Sequence, residues 1–354
     1  MRRMVTPAFV LALCAAAVAR AQTPAPTGTG TVVGVVVIGG TTVGLGYSVI
    51  AVPAASLELF SDSDGRFVFA AVPAGRAAIR AKHLGYLPLD TTVVVAAGDT
   101  TRVTLELEHV PAQLPAVRTT ATVCDYPGAP TLRNDERLAA LFEQMKENAE
   151  RHRLLVRSYP FEYTVERMVK RWEPDSGARV TETDTLRRTS ERGWRYRPGQ
   201  MMSEQSNPPG RIGGRWITMI VPELADFADD VFLVNHCFEF AGAVIVDAAS
   251  LLRIDFVPAR SVRTPDVAGS LFLDPTSFQI RRTVMRLVNP TRQVNDLVES
   301  QEVQTIFGEV VPGVPITAQM SSLVIPSEAV RVIIPEPSLE TQNVIRVRFL
   351  RGKP

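Results

Sequence analysis

The sequence predicts a mainly β protein of α+β character: an N-terminal β-sandwich, then a larger antiparallel β-sheet domain with one amphipathic helix. Three observations carry this expectation. Short alternating apolar runs recur between Gly, Pro and Asp turns from Gly34 to Glu108. From Asn134 to Val156, Leu138, Leu141, Phe142, Met145 and Ala149 recur at helical spacing. After that stretch the alternation returns, as in Phe161, Tyr163 and Val165. At 354 residues the chain is long for one domain, and two is the better expectation.

The chain opens like an export signal. Arg2 and Arg3 precede an apolar run from Val5 to Val18, and Ala19-Arg20-Ala21 offers a small-x-small cleavage site before Gln22. The run is shorter than the about 20 residues a spanning helix needs. Residues 1–21 are therefore expected to be removed, leaving no transmembrane span and an exported chain, periplasmic or associated with the outer membrane. Cys14 raises lipidation as an alternative, although bulky Leu13 stands where a small residue is expected. Residues 22–30, rich in Pro, Thr and Gly, read as a flexible leader.

Residues 31–110 carry the sandwich. Its strands are expected near Gly34–Ile38, Tyr47–Val52, Leu57–Phe60, Arg66–Ala70, Ala77–Lys82, Thr92–Ala96 and Thr101–Glu108. Asp64-Gly65 reads as a two-residue hairpin turn, because Gly takes positive φ freely and Asp tolerates it. Val72-Pro73-Ala74-Gly75 breaks the ladder, since Pro removes a donor. The Asp62-x-Asp64-Gly65 run also invites a calcium reading. An EF-hand-like loop wants an oxygen ligand two residues before Asp62 and a Glu near its end, where Phe60 and Ala71 stand. The plain turn is preferred.

The opening strand at Gly34-Val35-Val36-Val37, the Asp62 to Phe67 turn, the Val72-Pro73-Ala74-Gly75 corner and Gly85-Tyr86 together resemble the carboxypeptidase regulatory-like domain. The resemblance implies a transthyretin-like, immunoglobulin-type β-sandwich. Such modules are appended to peptidases, outer-membrane receptors and other exported proteins, and imply no peptidase activity of their own.

Residues 111–133 read as a linker. Leu114 to Thr119 resembles the segment that follows this module in TonB-dependent receptors, and Arg118–Val123 is a candidate strand. A transmembrane barrel needs many alternating strands with aromatic girdles. With 15 Phe, 6 Tyr and 3 Trp in the whole chain, a plug and barrel are excluded. The second domain, 134–354, begins with the helix, capped by Asn134 or Asp135. Strands follow around Phe161–Glu166, Val180–Arg188, Trp194–Tyr196, Ile217–Val221, His236–Phe240, Leu251–Phe256, Ala268–Asp274, Phe278–Met285, Gln301–Phe307 and Thr341–Leu350. Short connections such as Asp274-Pro275-Thr276-Ser277 imply antiparallel order. Leu252 to Pro258, Gly269 to Asp274 and Phe278 to Arg282 weakly resemble the antiparallel half-barrels of bacterial lipoprotein carriers, which implies a sheet wrapped around an apolar cavity closed by helices.

The chemistry is sparse. Lys and Arg total 38 against 37 Asp and Glu, so no nucleic-acid partner is implied. Once the signal is removed, Cys124 and Cys237 remain. In an exported chain they are a candidate disulfide, the alternative being two buried thiols. His83, His109, His152 and His236 lack metal-ligand spacing, and no His-Glu-x-x-His, Gly-x-Ser-x-Gly or phosphate-binding glycine loop occurs. No catalytic, metal or cofactor site is therefore expected. Adjacent His236 and Cys237 point to opposite faces of a strand and would not pair. Arg253, Asp255, Asp274 and Arg281 are a candidate polar ligand row, or else a solvated cross-strand ionic row. The leading expectation is a non-enzymatic exported envelope protein, with an adaptor sandwich and a β domain that binds an envelope protein or a lipid. One alternative is a glycan-binding protein using Tyr47 and Tyr86 as platforms. Another is an enzyme built on His236, Glu239, Asp255 and Asp274.

Overall fold

A computed structural model describes residues 28–110, 124–129, 136–173, 177–190, 195–205, 216–290, 297–331 and 337–352. The export signal, Cys14, Leu114 to Val123, the Asn134 and Asp135 caps and Trp194 fall outside these.

The N-terminal part has seven strands: β1 (Thr29–Ile38), β2 (Val49–Val52), β3 (Leu57–Phe60), β4 (Arg66–Pro73), β5 (Gly75–Lys82), β6 (Leu89–Val95) and β7 (Thr100–Leu107). They form two sheets, β4-β1-β7 and β3-β2-β5-β6. Val32, Val36, Ile50, Phe67, Phe69, Ile79, Leu105 and Leu107 fill the space between them. The expected Asp64-Gly65 hairpin is corrected here, because β3 and β4 lie in opposite sheets. The turn carries the chain from one sheet to the other. Gly65 is needed because its φ is +81° and a Cβ there would sit 2.4 Å from the Val36 carbonyl oxygen. The Asp62 carboxylate is used within the same turn, accepting the amides of Asp64 at 2.9 Å and Arg66 at 2.7 Å. The Pro73–Gly75 corner returns the chain to the other sheet, from β4 to β5.

The second part begins with helix α1 (Glu136–Ser158). Hairpin β8 (Phe161–Glu173) and β9 (Gly177–Thr189) follows. The chain then crosses the sheet through β10 (Met202–Gln205), β11 (Trp216–Met219) and the short helix α2 (Asp230–Leu233). It returns strand by strand as β12 (His236–Val246), β13 (Ala249–Pro258), β14 (Asp266–Leu273), β15 (Ile280–Val288), β16 (Val298–Val311), β17 (Val314–Pro326) and β18 (Ser338–Phe349). β18 closes against β8, giving a nine-stranded antiparallel sheet of order β12-β13-β14-β15-β16-β17-β18-β8-β9. At about 4.8 Å per strand, the sheet is roughly 38 Å wide.

One face of this sheet is covered. Leu252, Ile254 and Phe256 of β13 alternate onto it, joined by Leu271, Leu273, Met285, Val303 and Phe307. Leu138, Leu141, Phe142 and Met145 of α1 pack on them, as the helical spacing predicted. The crossover adds Tyr196, Met201, Met219, Leu224, Phe227 and Phe232, completing one apolar core.

Candidate functional site

The space under α1 is where the sequence leaves a binding site open, and the protein's own side chains fill it. Phe232 packs edge-on to Phe256 at 5.5 Å, and Phe142 meets Phe238 at 4.6 Å. Toward the C-terminal end of α1 lies a cavity of about 70 Å³, lined by His152, Val156, Tyr163, Ser190, Glu223 and Thr317 among others. Ligand pockets run to about 300–1,000 Å³, and one water occupies about 30 Å³ of liquid, so this space holds a water or two. His152 is oriented by its Nδ1, 3.1 Å from the Pro315 carbonyl, and burial pushes its pKa down. Crowding by protein atoms, then the Asp226 carboxylate, push Glu223 up to about 7. Glu223 as a residue is nonetheless exposed, which limits that effect.

A second buried polar group lies under α2. Tyr196 donates its hydroxyl to Asp266 at 2.6 Å, while Asp266 also accepts the Val267 amide at 2.8 Å. The His236 ring sits between the Phe232 carbonyl, 2.9 Å from Nδ1, and Asp266, 3.5 Å from Nε2. The neighbouring Asp226 caps the Tyr196 and Glu223 amides. His236 and Asp266 are fully buried, with Phe232 stacked on the imidazole at 4.1 Å. The arrangement ties the crossover to the sheet through satisfied hydrogen bonds.

The sequence-derived site residues fall in three places. Cys124 and Cys237 are bonded, with Cα atoms 5.5 Å apart, beside the edge of β12. Around the bond, the Gly128 amide donates to the His236 carbonyl at 2.9 Å and the Arg260 amide to the Cys124 carbonyl at 3.1 Å. The single row expected of Arg253, Asp255, Asp274 and Arg281 is split in two. Arg253 donates to Asp255 at 2.6 Å on the outer face, where Ser270 also bonds Asp255. Arg281 turns to Glu309 at 3.2 Å, with Asp274 at 3.9 Å. The split follows from the register. Leu273 pairs with Ile280 but Phe272 pairs with Arg282, so Arg281 sits in a bulge off the Arg253 row. Asp274 is spent on its own turn, accepting the Thr276 and Ser277 amides, and its pKa is lowered by those bonds against the effect of burial.

The enzyme constellation does not assemble. Glu239 lies opposite Asp255 on the outer face, His236 is enclosed with Asp266, and Asp274 is at a distant turn. Tyr86 is only 8% exposed, stacked on His109 at 4.1 Å, so it offers no glycan platform. Among the described residues no group of three or more His, Cys, Asp or Glu is placed to hold a metal ion.

Sequence reasoning missed a polar cluster on α1. Arg151 is fully buried and donates to the Gly313 carbonyl at 2.7 Å and to the Tyr47 carbonyl. Its guanidinium lies 3.6 Å from Glu147 and over the Phe60 ring, 5.7 Å from the centroid. Lys82 reaches Glu147 at 3.6 Å and also bonds Glu150. Burial dominates both ionic partners, pushing the Glu147 carboxyl up and the Arg151 guanidinium down. Gln144, Glu147, Asn148 and Arg151 share i, i+3, i+4, i+7 spacing, and that was the available signal.

Residues 31–108 match the carboxypeptidase regulatory-like domain. The match covers less than a quarter of the chain. No curated protein matches the chain. Solved structures with some likeness include a LolA superfamily protein from Nitrosomonas europaea, at 13% identity over 60% of this chain and 94% of that one, TM-score 0.30. A DUF1329 family protein from Desulfovibrio piger matches at 12% identity, over 60% of this chain and 95% of its own, TM-score 0.32. Both scores lie below one half, so neither protein lends a ligand or activity to this chain.

Proposed function

We propose that this is an exported, non-enzymatic envelope protein that binds a protein partner and carries no resident apolar ligand. The observation behind this reading is the filled face under α1. A cavity of about 70 Å³ leaves no space for an acyl chain while the helix is seated. The outer sheet face and the edge strand β9 are the surfaces offered to a partner, the start of β12 being covered by the segment that carries Cys124 and Gly128. Export rests on Arg2 to Ala21 and on the candidate disulfide; no helix among the described residues is long and apolar enough to cross a membrane.

Native mass spectrometry of the mature protein, purified from the periplasm, tests the unliganded part, and a single mass without adduct is expected. A retained acyl species overturns it. Crosslinking in intact cells tests the partner, and a discrete protein adduct is expected. A monomeric chain under every condition removes that part.

A second reading is supported by an open groove of about 650 Å³ where β16, β17 and β18 end, lined by Val310, Ile316, Val347, Phe349, Glu309 and Arg348. Its size suits a small amphipathic molecule. Displacement of a fluorescent fatty acid, abolished by Val347→Arg, supports this version; displacement that survives the substitution removes it.

A further inference from the structure

Helix α1 is held from two sides along one stripe of its surface. On the sandwich side, the Gly85 amide donates to Gln144 at 2.9 Å, and Gln144 returns a bond to the Tyr86 carbonyl at 3.3 Å. One turn later Lys82 reaches Glu147 and Glu150. Arg151 then donates to the Tyr47 carbonyl and covers Phe60. Leu154 and Leu155 pack with Val49 and Phe60 in one apolar cluster, and Arg157 pairs with Glu58. Residues 144 to 157 span about 20 Å of helix at 1.5 Å per residue, so sandwich contacts run along more than half of α1.

On the sheet side the same stretch is anchored separately. Asn148 donates to the Phe278 carbonyl at 2.8 Å and accepts the Ile280 amide at 3.0 Å. Arg151 reaches Gly313 and His152 faces Pro315. Arg151 thus bonds both bodies at once: its counter-charge Glu147 lies on the helix itself, and its guanidinium gives one hydrogen bond to a carbonyl of the sandwich and one to a carbonyl of the sheet.

Two details separate this contact from incidental packing. Phe60 and Val49 belong to the junction cluster with Leu154, Leu155, Phe161, Val314 and Ile316, and neither belongs to the sandwich core. A large aromatic side chain is thus directed at the helix. Gly85 has a φ of +84°, and a Cβ there would lie 3.0 Å from the Thr276 carbonyl of the sheet, so the Gly-Tyr motif is where the two bodies touch.

We infer that the regulatory-like sandwich is a latch: it grips α1 through Phe60, Lys82 and the Gly85–Tyr86 turn, and so keeps the helix seated over the sheet. This goes beyond partner binding, because it assigns the module an intramolecular role in place of a spacer.

The test is hydrogen exchange on the full mature chain with Phe60→Ala and Lys82→Ala combined. Neither side chain belongs to the sandwich core, so β1 and β7 are expected to keep wild-type protection. Exchange in 138–158 is expected to accelerate about tenfold or more, because local opening of the helix no longer breaks the sandwich contact. Wild-type exchange in the helix overturns the inference, as does equal acceleration in β1, β7 and the helix. If the double variant does not fold, Gln144→Leu decides, because it deletes only the bonds to Gly85 and Tyr86. Faster helix exchange with an unchanged sandwich supports the latch, and no change in the helix removes it.

Discussion

Replacing Arg151 by Met tests the energetics of the helix stripe most directly. The side chain is fully buried, and its loss leaves the Gly313 and Tyr47 carbonyls without a charged donor. It also leaves the Glu147 carboxylate, itself 6% exposed, with Lys82 at 3.6 Å as its remaining cation. A bond from a charged donor contributes about 1.5–3 kcal/mol, and breaking a buried ion pair from one side costs about 3–5 kcal/mol. These figures overlap, since both count the stranded partners, so the expected loss is about 4 kcal/mol. Domains are stable by only about 5–15 kcal/mol, so the variant should be severely weakened. The double variant Glu147→Leu/Arg151→Met removes both charges and refills the space with apolar atoms, and is expected within about 2 kcal/mol of wild type. Urea unfolding monitored by intrinsic fluorescence, disulfide intact, reads all three proteins. A single variant within about 0.5 kcal/mol of wild type, or a double variant as weak as Arg151→Met alone, would refute the reasoning.

Four further outcomes follow from the same structure. Removing the disulfide with Cys124→Ala/Cys237→Ala opens a loop with a sequence separation of 113 residues, for which the chain-entropy model gives about 5 kcal/mol; free-thiol titration of the unreduced, denatured wild type should find none, and finding two would void the expectation. His83 is pushed down to about 4, by burial first and the Arg151 charge second. Its unfolded form therefore binds the proton more readily, so stability is full above about 6.5 and falls as pH drops toward 4. The drop is about 3 kcal/mol at most and roughly 1–2 kcal/mol for this partly exposed ring; His83→Gln should flatten the slope, and an unchanged slope assigns it elsewhere. Tyr196→Phe removes the hydroxyl bond to the buried Asp266 carboxylate, which keeps the Val267 amide, and should cost about 1–3 kcal/mol by thermal unfolding; a neutral result would refute a structural role for the bond. Gly85→Ala adds a Cβ at positive φ against Thr276, costing about 1–2 kcal/mol from the backbone alone, and should raise hydrogen exchange at 82–87 and 274–278 together.

The sandwich was legible because its signals are local. A Gly at positive φ, a Pro corner and alternating apolar residues act within a few positions, and each appears where the sequence placed it. The partner of a strand is not local, which is why Asp64-Gly65 reads as a hairpin yet joins opposite sheets. The polar row failed for the same reason, since one bulge at Arg281 moved it off the Arg253 register. Helix α1 shows the limit more sharply. Leu138, Leu141, Phe142 and Met145 announce one buried face, and nothing in their spacing marks the polar residues between them as buried too. Gln144, Glu147, Asn148 and Arg151 recur at the same spacing, and all four are at most 5% exposed. Periodicity finds a face by its apolar atoms, so a face buried through hydrogen bonds and ion pairs is invisible to it. That second face has meaning only once the sandwich and the sheet are both known to close on it, and no window of one helix's length contains Tyr47, Lys82 and Gly313 together. The residues joining the two bodies are therefore those the sequence conceals, and disrupting them should separate the latch from the fold it holds.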